Sequence, residues 1–219
     1  MSGPVSKGRP WGRPATGPAD VEVVGSDADL AATASERPGL RVAFRPTPSS
    51  DLARALGLAH GESRVAEVPV DALRLGGANG MAVNAVVLGT PPDRLRWASR
   101  SAPIEVSVDG RTRFSGQAAS VLVASGQYLR GADVVPRGHP GDGRAEVQVY
   151  ELRPGERRAM RRRLPQGAHV PHPRIHEVVG HRVDVRAGRS LPLEVDGMRR
   201  GEVAELEVEL VPGALWVLV

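Results

Sequence analysis

The residue types in this sequence limit the chemistry it can perform. The sequence has no cysteine, which excludes thiolate catalysis and leaves histidine, aspartate and glutamate as metal ligands. Four histidines lie near one another in the C-terminal half: His169, His172, His176 and His181. Pro171 and Pro173 break any helix that could place them on one face, and no carboxylate cluster accompanies them. We therefore expect histidines in loops rather than a zinc site.

Three aspartates stand where turns are expected, and two of them directly precede a glycine. Asp27 follows a short apolar segment, Asp142 precedes Gly143, and Asp196 precedes Gly197. Aspartate and glycine favour tight turns, because aspartate accepts local backbone hydrogen bonds and glycine adopts positive φ. A carboxylate at such a turn can also bind a cation or contact a polar substrate, so both interpretations stay open.

Positive charge is concentrated in one part of the chain. The formal net charge is +4, and Lys7 is the only lysine among 29 basic residues. Between Arg144 and Arg200 there are 13 arginines and 7 acidic residues. Five of these arginines lie in a helix predicted over 154–164: Arg157, Arg158, Arg161, Arg162 and Arg163. Such a helix is either a solvated face or a surface that attracts the phosphate groups of anionic lipid or nucleic acid.

Nucleic acid is the disfavoured partner of this helix. Tyr150 is the only aromatic residue between Arg144 and Arg200, so base stacking has almost no side chain available. Contact between arginines and duplex phosphates remains open, without sequence specificity.

The composition is that of a globular chain, with 41% hydrophobic and 25% charged residues. Residues 1–20 are rich in glycine and proline and are predicted to form a disordered lead-in. Residues 21–64 show a strand, helix, strand, helix order, which predicts a small α/β unit with parallel pairing. The second helix follows Ser50 and Asp51, either of which can cap it, and stops at Gly57.

From residue 65 onward the pattern changes to short alternating or apolar segments separated by turns. Asp109-Gly110 lies between two strand-like segments and predicts a hairpin. Glu205, Glu207 and Glu209 alternate with apolar residues, as expected for a half-solvated strand. The predicted fold class is α+β: a short α/β unit over 21–64, then an antiparallel β-sandwich over 65–219, interrupted by the basic helix.

Several segments in fixed order resemble the diacylglycerol kinases and related bacterial lipid kinases, which include the sphingosine kinases. The matching segments are Asp51–Leu58, Val134–Val147 with its Asp142-Gly143, Gly167–Pro173, Leu193–Gly197 and Val211–Leu215. Each motif is weak by itself, but five occur in the family's order across residues 21–219.

The resemblance implies a two-domain kinase that transfers the γ-phosphoryl group of ATP to a lipid hydroxyl with Mg²⁺. On this basis Gly25, Asp27 and Asp51 are the candidate nucleotide-binding residues, Asp142 is the candidate metal ligand, and residues 21–64 are a remnant of the nucleotide-binding domain. The family's first strand would lie upstream of Val21. Its absence leaves a sheet edge that a second copy or another protein would cover.

Four departures from the family pattern affect this chemistry. Ser26 and Ala28 replace glycines of the phosphate-binding turn, and Asp29 adds a negative charge where the nucleotide's polyanion would lie. Thr47-Pro48-Ser49-Ser50 replaces the second glycine-containing nucleotide loop. Met198 replaces the glutamate of the Asp-Gly-Glu turn, and a thioether cannot accept a proton as a general base. Gly141 replaces a neighbouring aspartate beside Asp142, and one carboxylate is a poor Mg²⁺ site.

The sequence therefore leaves three functional hypotheses. The first is a pseudokinase that binds a lipid or a protein partner, without ATP or Mg²⁺, and with the five arginines of its basic helix facing anionic lipid. The second is an active ATP- and Mg²⁺-dependent lipid kinase in which Asp196 or a histidine substitutes for the missing base. The third and weakest is association with nucleic acid.

Location follows from what the sequence lacks. No apolar run is long enough for a membrane-spanning helix, and no signal-peptide pattern follows Met1. We expect a cytoplasmic protein that can lie peripherally at the inner membrane surface.

Overall fold

A computed structural model of the protein describes residues 11–58, 66–77 and 80–219. The strands are β1 (Arg13–Pro14), β2 (Val21–Gly25), β3 (Arg41–Pro46), β4 (Ala66–Leu75), β5 (Gly80–Ala82), β6 (Ala85–Gly89), β7 (Ala102–Val108), β8 (Arg111–Ala118), β9 (Ser120–Ala124), β10 (Tyr128–Leu129), β11 (Ala132–Asp133), β12 (Ala145–Tyr150), β13 (Ile175–Gly180), β14 (Arg182–Val195) and β15 (Met198–Leu218). The helices are α1 (Asp27–Glu36), α2 (Asp51–Leu56) and α3 (Arg157–Arg163), and 3-10 turns occur at Pro92–Arg94, Pro154–Glu156 and Leu164–Gln166.

The N-terminal α/β unit forms as predicted. Strands β2 and β3 pair in parallel. Ser50 caps α2, because its hydroxyl accepts a hydrogen bond from the Ala53 amide at 2.9 Å. The helix ends at Gly57, which adopts a left-handed conformation with φ 67° that glycine tolerates without strain. The unit places the N-termini of α1 and α2 beside each other, at the C-terminal ends of β2 and β3.

Strand β15 joins this unit to the rest of the sheet. It pairs antiparallel with β14 and β4 and, near its end, parallel with β3. Leu30, Phe44 and Leu52 of the α/β unit share one buried core with Val70 and Leu215. The two parts therefore pack against a common sheet, while the domain boundaries at residues 20 and 64 stay predictions.

Residues from β4 onward form the sandwich that the sequence predicts. The sheet order is β1-β4-β15-β14-β6-β9-β12-β13, and the hairpin β7–β8 pairs with β14. Leu206, Val208 and Leu210 are buried, whereas the three glutamates that alternate with them are exposed. At the β7–β8 turn Asp109 and Gly110 have φ values of 50° and 74°, which confirms the Asp-Gly hairpin. The fold is α+β.

Two local features differ from the sequence predictions. Residues 11–14 are attached to the domain rather than disordered: Arg13 and Pro14 pair with β4, and the Trp11 ring lies 4.4 Å from the His139 ring. Residues 1–10 of the predicted lead-in lie outside the described residues. The apolar run 81–88 is two strands, because the backbone amides of residues 83–85 turn away from the sheet toward a carboxylate described below.

None of the helices in the described ranges has the length and apolar character needed to cross a membrane.

Candidate functional site

A carboxylate of the protein itself lies at the N-terminus of α1. The Asp29 carboxylate accepts hydrogen bonds from the backbone amide and the hydroxyl of Ser26, both at 2.7 Å. These hydrogen bonds lower the pKa of Asp29, so the group is ionised at neutral pH. A side chain at Gly25, where φ is 154°, would collide with the same carboxylate. Asp29 thus covers the backbone of the turn at which the resemblance places nucleotide phosphates.

Asp27 links the two helix N-termini. Its buried carboxylate accepts hydrogen bonds from the Ser50 hydroxyl and from the amides of Asp51 at 3.0 Å and Leu52 at 3.2 Å. Burial raises the pKa of Asp27, and the negative charge of Asp51 adds to the effect. Each carboxylate oxygen therefore has a partner within the protein, and the side chain acts as a cap for α2.

Asp51 is also occupied by backbone amides. Its carboxylate accepts hydrogen bonds from the amides of Arg130 and of Gly131, the latter at 2.7 Å. Arg130 adopts φ 49°, and its guanidinium pairs with both oxygens of Asp93 and with Glu194. These carboxylates raise the pKa of Arg130 further above its ordinary value, against the effect of burial. Backbone hydrogen bonds to Asp51 and the ion pairs of Arg130 thus connect α2, the β10–β11 hairpin and β14.

Asp196 binds the short segment between β5 and β6. Its carboxylate accepts hydrogen bonds from three successive amides, Val83 at 2.8 Å, Asn84 at 3.0 Å and Ala85 at 2.9 Å. Burial of the carboxyl group raises the pKa of Asp196 to about 7, and the charge of Asp27 contributes in the same direction. The structure therefore brings the predicted residues Asp27 and Asp51 together, and it places Asp196 close enough for the charge of Asp27 to act on it.

The turn that carries Asp196 is a hairpin. Asp196 and Gly197 have φ values of 45° and 77°, and Val195 pairs with Met198. Met198 is 55% exposed and offers a thioether where the resemblance expects a carboxylate. Of the two, only Asp196 carries a group that can accept a proton.

A cleft of about 360 Å³ opens between α1 and the sandwich. Its apolar lining comes from Ala28, Ala32, Leu75, Met81, Leu193 and Val195. Ser35, Glu36 and Arg200 provide its polar lining. The cleft therefore suits an apolar ligand with a small polar or charged end.

Asp142, the predicted metal ligand, turns its carboxylate into its own loop. It accepts a hydrogen bond from the Arg144 amide at 3.0 Å, and burial raises its pKa. Asp71 and Glu146 lie near it, and burial raises their pKa values to about 6 and about 8. Across the described ranges, no group of three or more His, Asp or Glu side chains is placed to hold a metal ion. The assignment of Asp142 as a Mg²⁺ ligand therefore stays a prediction, for a carboxylate that already accepts a hydrogen bond within its own loop.

Sequence reasoning missed Asp71 as a structural residue. Its carboxylate accepts hydrogen bonds from the Gly143 amide at 2.7 Å and the Gly213 amide at 2.8 Å, which ties the 139–144 loop to β15. The signal available in the sequence was a lone aspartate within the apolar pattern of β4. Two of the histidines have different environments: His169 is buried, and His176 contacts Glu151 at 2.8 Å.

Helix α3 is the basic helix that the sequence predicts, but not all of its arginines face the solvent. Arg157 is only 2% exposed, and its guanidinium donates hydrogen bonds to the backbone carbonyls of Leu152, Arg96, Trp97 and Ser99. The prediction that Arg157 faces lipid is therefore wrong, because its charge is used to hold a neighbouring loop. Arg161 is partly buried, and Arg158, Arg162 and Arg163 are exposed.

The sequence of residues 95–219 matches the family described as the YegS C-terminal NAD kinase beta sandwich-like domain. The chain belongs to this family. The match covers more than half of the chain and confirms the family resemblance carried by the segments from Val134 to Leu215. No protein among the curated sequences matches the chain.

Solved structures share the fold of this YegS-family chain. A diacylglycerol kinase from Bacillus anthracis str. Sterne superposes with a TM-score of 0.71 at 16% identity, covering 91% of this chain and 77% of that one. Yeast NADH kinase complexed with NADH gives a TM-score of 0.53 at 13% identity, with coverage of 91% and 61%. An NAD kinase from Archaeoglobus fulgidus in complex with ATP gives 0.51 at 13% identity, with coverage of 91% and 78%. The chain therefore has a lipid- and NAD-kinase-like fold.

Proposed function

We propose that this YegS-family protein is a pseudokinase that binds a lipid in the cleft beside α1 and transfers little or no phosphoryl group. The observation that carries the proposal is the contact between Asp29 and Ser26. A helix N-terminus binds phosphate through free backbone amides and a favourable dipole. Here the Ser26 amide and hydroxyl are bound to an internal carboxylate.

The remaining carboxylates support the same conclusion. Asp27 and Asp51 are buried and already accept hydrogen bonds from the protein itself, so less of each carboxylate is open to Mg²⁺ or a ribose hydroxyl. The negative charge of Asp29 would also repel a triphosphate close to the turn. General-base catalysis is typically worth about 10²–10⁴-fold, and Met198 cannot supply it.

The ligand is inferred from the cleft. Its lining of small and branched apolar side chains fits an acyl chain, and Arg200 at its polar part fits an anionic or hydroxyl-bearing head group. A volume of about 360 Å³ is at the small end of the range typical of ligand sites, so part of a lipid rather than a whole one would be enclosed. The names of structural relatives, which are diacylglycerol kinases, support diacylglycerol as the ligand class to test.

Phosphate transfer is the test of the missing activity. Purified protein, Mg²⁺ and ATP labelled in the γ-phosphate are incubated with diacylglycerol in mixed micelles, and labelled lipid is counted. We expect no label from the wild type and weak ATP binding by calorimetry.

A variant with Ser26→Gly, Ala28→Gly and Asp29→Thr should bind ATP more tightly, because it frees the backbone amide of the turn. Glu22→Thr removes one negative charge from neighbouring β2 and serves as the control. Labelled lipid from the wild type would contradict the proposal.

Lipid binding is tested separately. Ala32→Trp places a large side chain in the cleft and should abolish binding of a fluorescent diacylglycerol analogue. Thr112→Trp, at an exposed position of β8, is the matched control and should bind normally. Equal binding by both variants would exclude the cleft as the lipid site.

An active kinase is the second candidate, and Asp196 is the observation that favours it. A carboxyl group with a pKa of about 7 can act as a general base near neutral pH. In that case ATP and Mg²⁺ would be required. Asp196→Asn would abolish the label while the protein remains folded by circular dichroism, and unchanged transfer by this variant would eliminate Asp196 as the base.

The proposed partners follow the same reasoning. An anionic membrane would deliver the lipid, and the protein would lie at the inner membrane surface from the cytoplasmic side. A protein partner or second copy would cover the outer edge of β2, to which no other strand of the described residues is paired. Nucleic acid is not part of the proposal, because the arginines of α3 lack neighbouring aromatic residues on the helix.

A further inference from the structure

Trp97 is the most exposed large apolar side chain in the described part of the protein, at 76%. It lies in the loop between the 3-10 turn Pro92–Arg94 and β7, and Arg96 and Arg100 on the same loop are also exposed. An exposed indole carries a large apolar surface with one polar N–H, a combination that is common at membrane–water interfaces.

Arg157 fixes this loop to α3. Its guanidinium donates hydrogen bonds to the carbonyls of Arg96 at 3.1 Å, Trp97 at 3.2 Å and Ser99 at 2.5 Å. The next residue, Arg158, is exposed, and Arg162 follows one turn later on the same side of the helix. The buried arginine therefore fixes the loop next to α3, whose exposed side begins with the following residue. We call the exposed residues of the loop, together with the neighbouring exposed side of α3, the Trp97 surface: Arg96, Trp97, Arg100, Arg158 and Arg162.

The positive charges of this surface are not neutralised. Over the residues that the structure describes, no carboxylate forms an ion pair with any of its four arginines. Acidic side chains nearby already have partners: Asp93 pairs with Arg130, and Glu156 lies 3.4 Å from Arg174. The surface therefore presents a net positive charge around one apolar ring, which complements anionic phosphate groups above an acyl layer.

We infer that the Trp97 surface docks the protein on a membrane that contains anionic lipid. The arginines contact lipid phosphates, and Trp97 enters the boundary between head groups and acyl chains. This inference rests on the proposed lipid function, since a lipid ligand must be taken from a membrane. Arg94, in the 3-10 turn before the loop, contacts Glu194 at 3.6 Å, and Glu194 stands between two residues that line the cleft.

A membrane fits this surface better than nucleic acid does. The arginines lie on a loop and on a helix of seven residues, about 10 Å long, so they cover too little length to follow a duplex groove. A single ring without a second aromatic partner provides no stacking series for single strands.

Vesicle co-sedimentation tests the inference with the full chain. We expect binding to vesicles of equal parts phosphatidylcholine and phosphatidylglycerol, no binding to pure phosphatidylcholine, and release by high salt. Each arginine is worth about fivefold in affinity, so Arg158→Gln with Arg162→Gln should weaken binding about 25-fold. Arg111→Gln with Arg113→Gln removes two exposed arginines from β8 and should bind as the wild type does.

Trp97→Ala separates docking from simple charge attraction. This variant should weaken vesicle binding several-fold. In the wild type, brominated phosphatidylglycerol should quench the fluorescence of Trp97, and this quenching should be lost in Trp97→Phe. Equal loss in both double-arginine variants, or no effect of Trp97→Ala, would overturn the inference. So would duplex DNA binding that is tighter than vesicle binding and is lost in the Arg158/Arg162 variant.

The cleft variant keeps the two proposals apart. Ala32→Trp should still bind vesicles, and the Arg158/Arg162 variant should still bind the diacylglycerol analogue in detergent. Vesicle binding that survives without analogue binding by the wild type would contradict the lipid-binding proposal but not membrane docking.

Discussion

The carboxylate of Asp29 lies 2.7 Å from both the amide and the hydroxyl of Ser26, at the first turn of α1. This pair does structurally what a bound phosphate would do, because it satisfies donors that a helix leaves free at its N-terminus. The sequence marks Asp29 only as a misplaced negative charge. The structure shows that this charge is a cap that stabilises the turn.

Removing the cap should lower stability without changing the fold. In Asp29→Ala the Ser26 amide loses its partner, and the loss of such a cap costs about 1 kcal/mol. Chemical denaturation should show a lower midpoint with an unchanged slope. Glu36→Ala, at the exposed C-terminal end of α1, should have a much smaller effect. If the two variants are equally stable, the Asp29–Ser26 contact does not stabilise the turn.

Arg157 should be more important for stability than any other arginine of α3. Arg157→Ala leaves the carbonyls of residues 96, 97 and 99 without their donor, at a cost of about 3 kcal/mol. Arg158→Ala, one residue away and exposed, should cost almost nothing. Urea unfolding compares the two variants.

Hydrogen exchange distinguishes a local from a global effect of the same change. In Arg157→Ala the amides of residues 96–101 should exchange faster than those of β9, because the loop loses its attachment to α3. Uniformly faster exchange would show that Arg157 supports the whole domain rather than this loop.

The α/β unit, the sandwich and the basic helix could be predicted because their signals are local. Ser50 and Gly57 bound α2, and Asp109-Gly110 marks a hairpin, each through the conformation of a few adjacent residues. The family motifs also survive in order. These features depend on neighbours in sequence, which the sequence displays.

The contacts that occupy the site could not be predicted, since they join residues far apart in the chain. Asp51 meets Arg130, and Asp196 meets the amides of residues 83–85, only after the sheet has formed. The lead-in predicted to be disordered includes Trp11, yet its ring packs against His139. Hydrophobic periodicity carries no information about such single long-range contacts.

Buried carboxyl groups should make the protein less stable as the pH rises. Burial raises the pKa of Glu146 from its ordinary value of 4.5 to about 8, so the folded protein holds this proton more tightly than the unfolded chain. The free energy of unfolding therefore falls between pH 4.5 and about 8, by up to about 1.4 kcal/mol per pH unit for one group. Asp71 and Asp196, with pKa values of about 6 and about 7, act in the same direction.

Glu146→Gln isolates one of these groups. Thermal or urea unfolding across this pH range should show a shallower fall in stability for the variant, with the largest gain over the wild type near pH 8. Glu177→Gln, at an exposed position of β13, should follow the wild-type curve. Parallel curves for the wild type and Glu146→Gln would show that Glu146 does not titrate in this range.

The outer edge of β2 is the place where a protein partner or a second copy would bind. The strand pairs with β3 on one side, and Val24 is 71% exposed. An unpaired strand with an exposed apolar side chain favours edge-to-edge association, and a lysine at such a position opposes it. Sedimentation velocity should show concentration-dependent association of the wild type and a monomer for Val24→Lys.

The matched control is Val179→Lys, which should associate normally. Val179 is 50% exposed and lies on β13, at the other end of the sheet. A wild type that stays monomeric at all concentrations would leave the edge to a different protein, and loss of association in Val179→Lys alone would move the interface to β13.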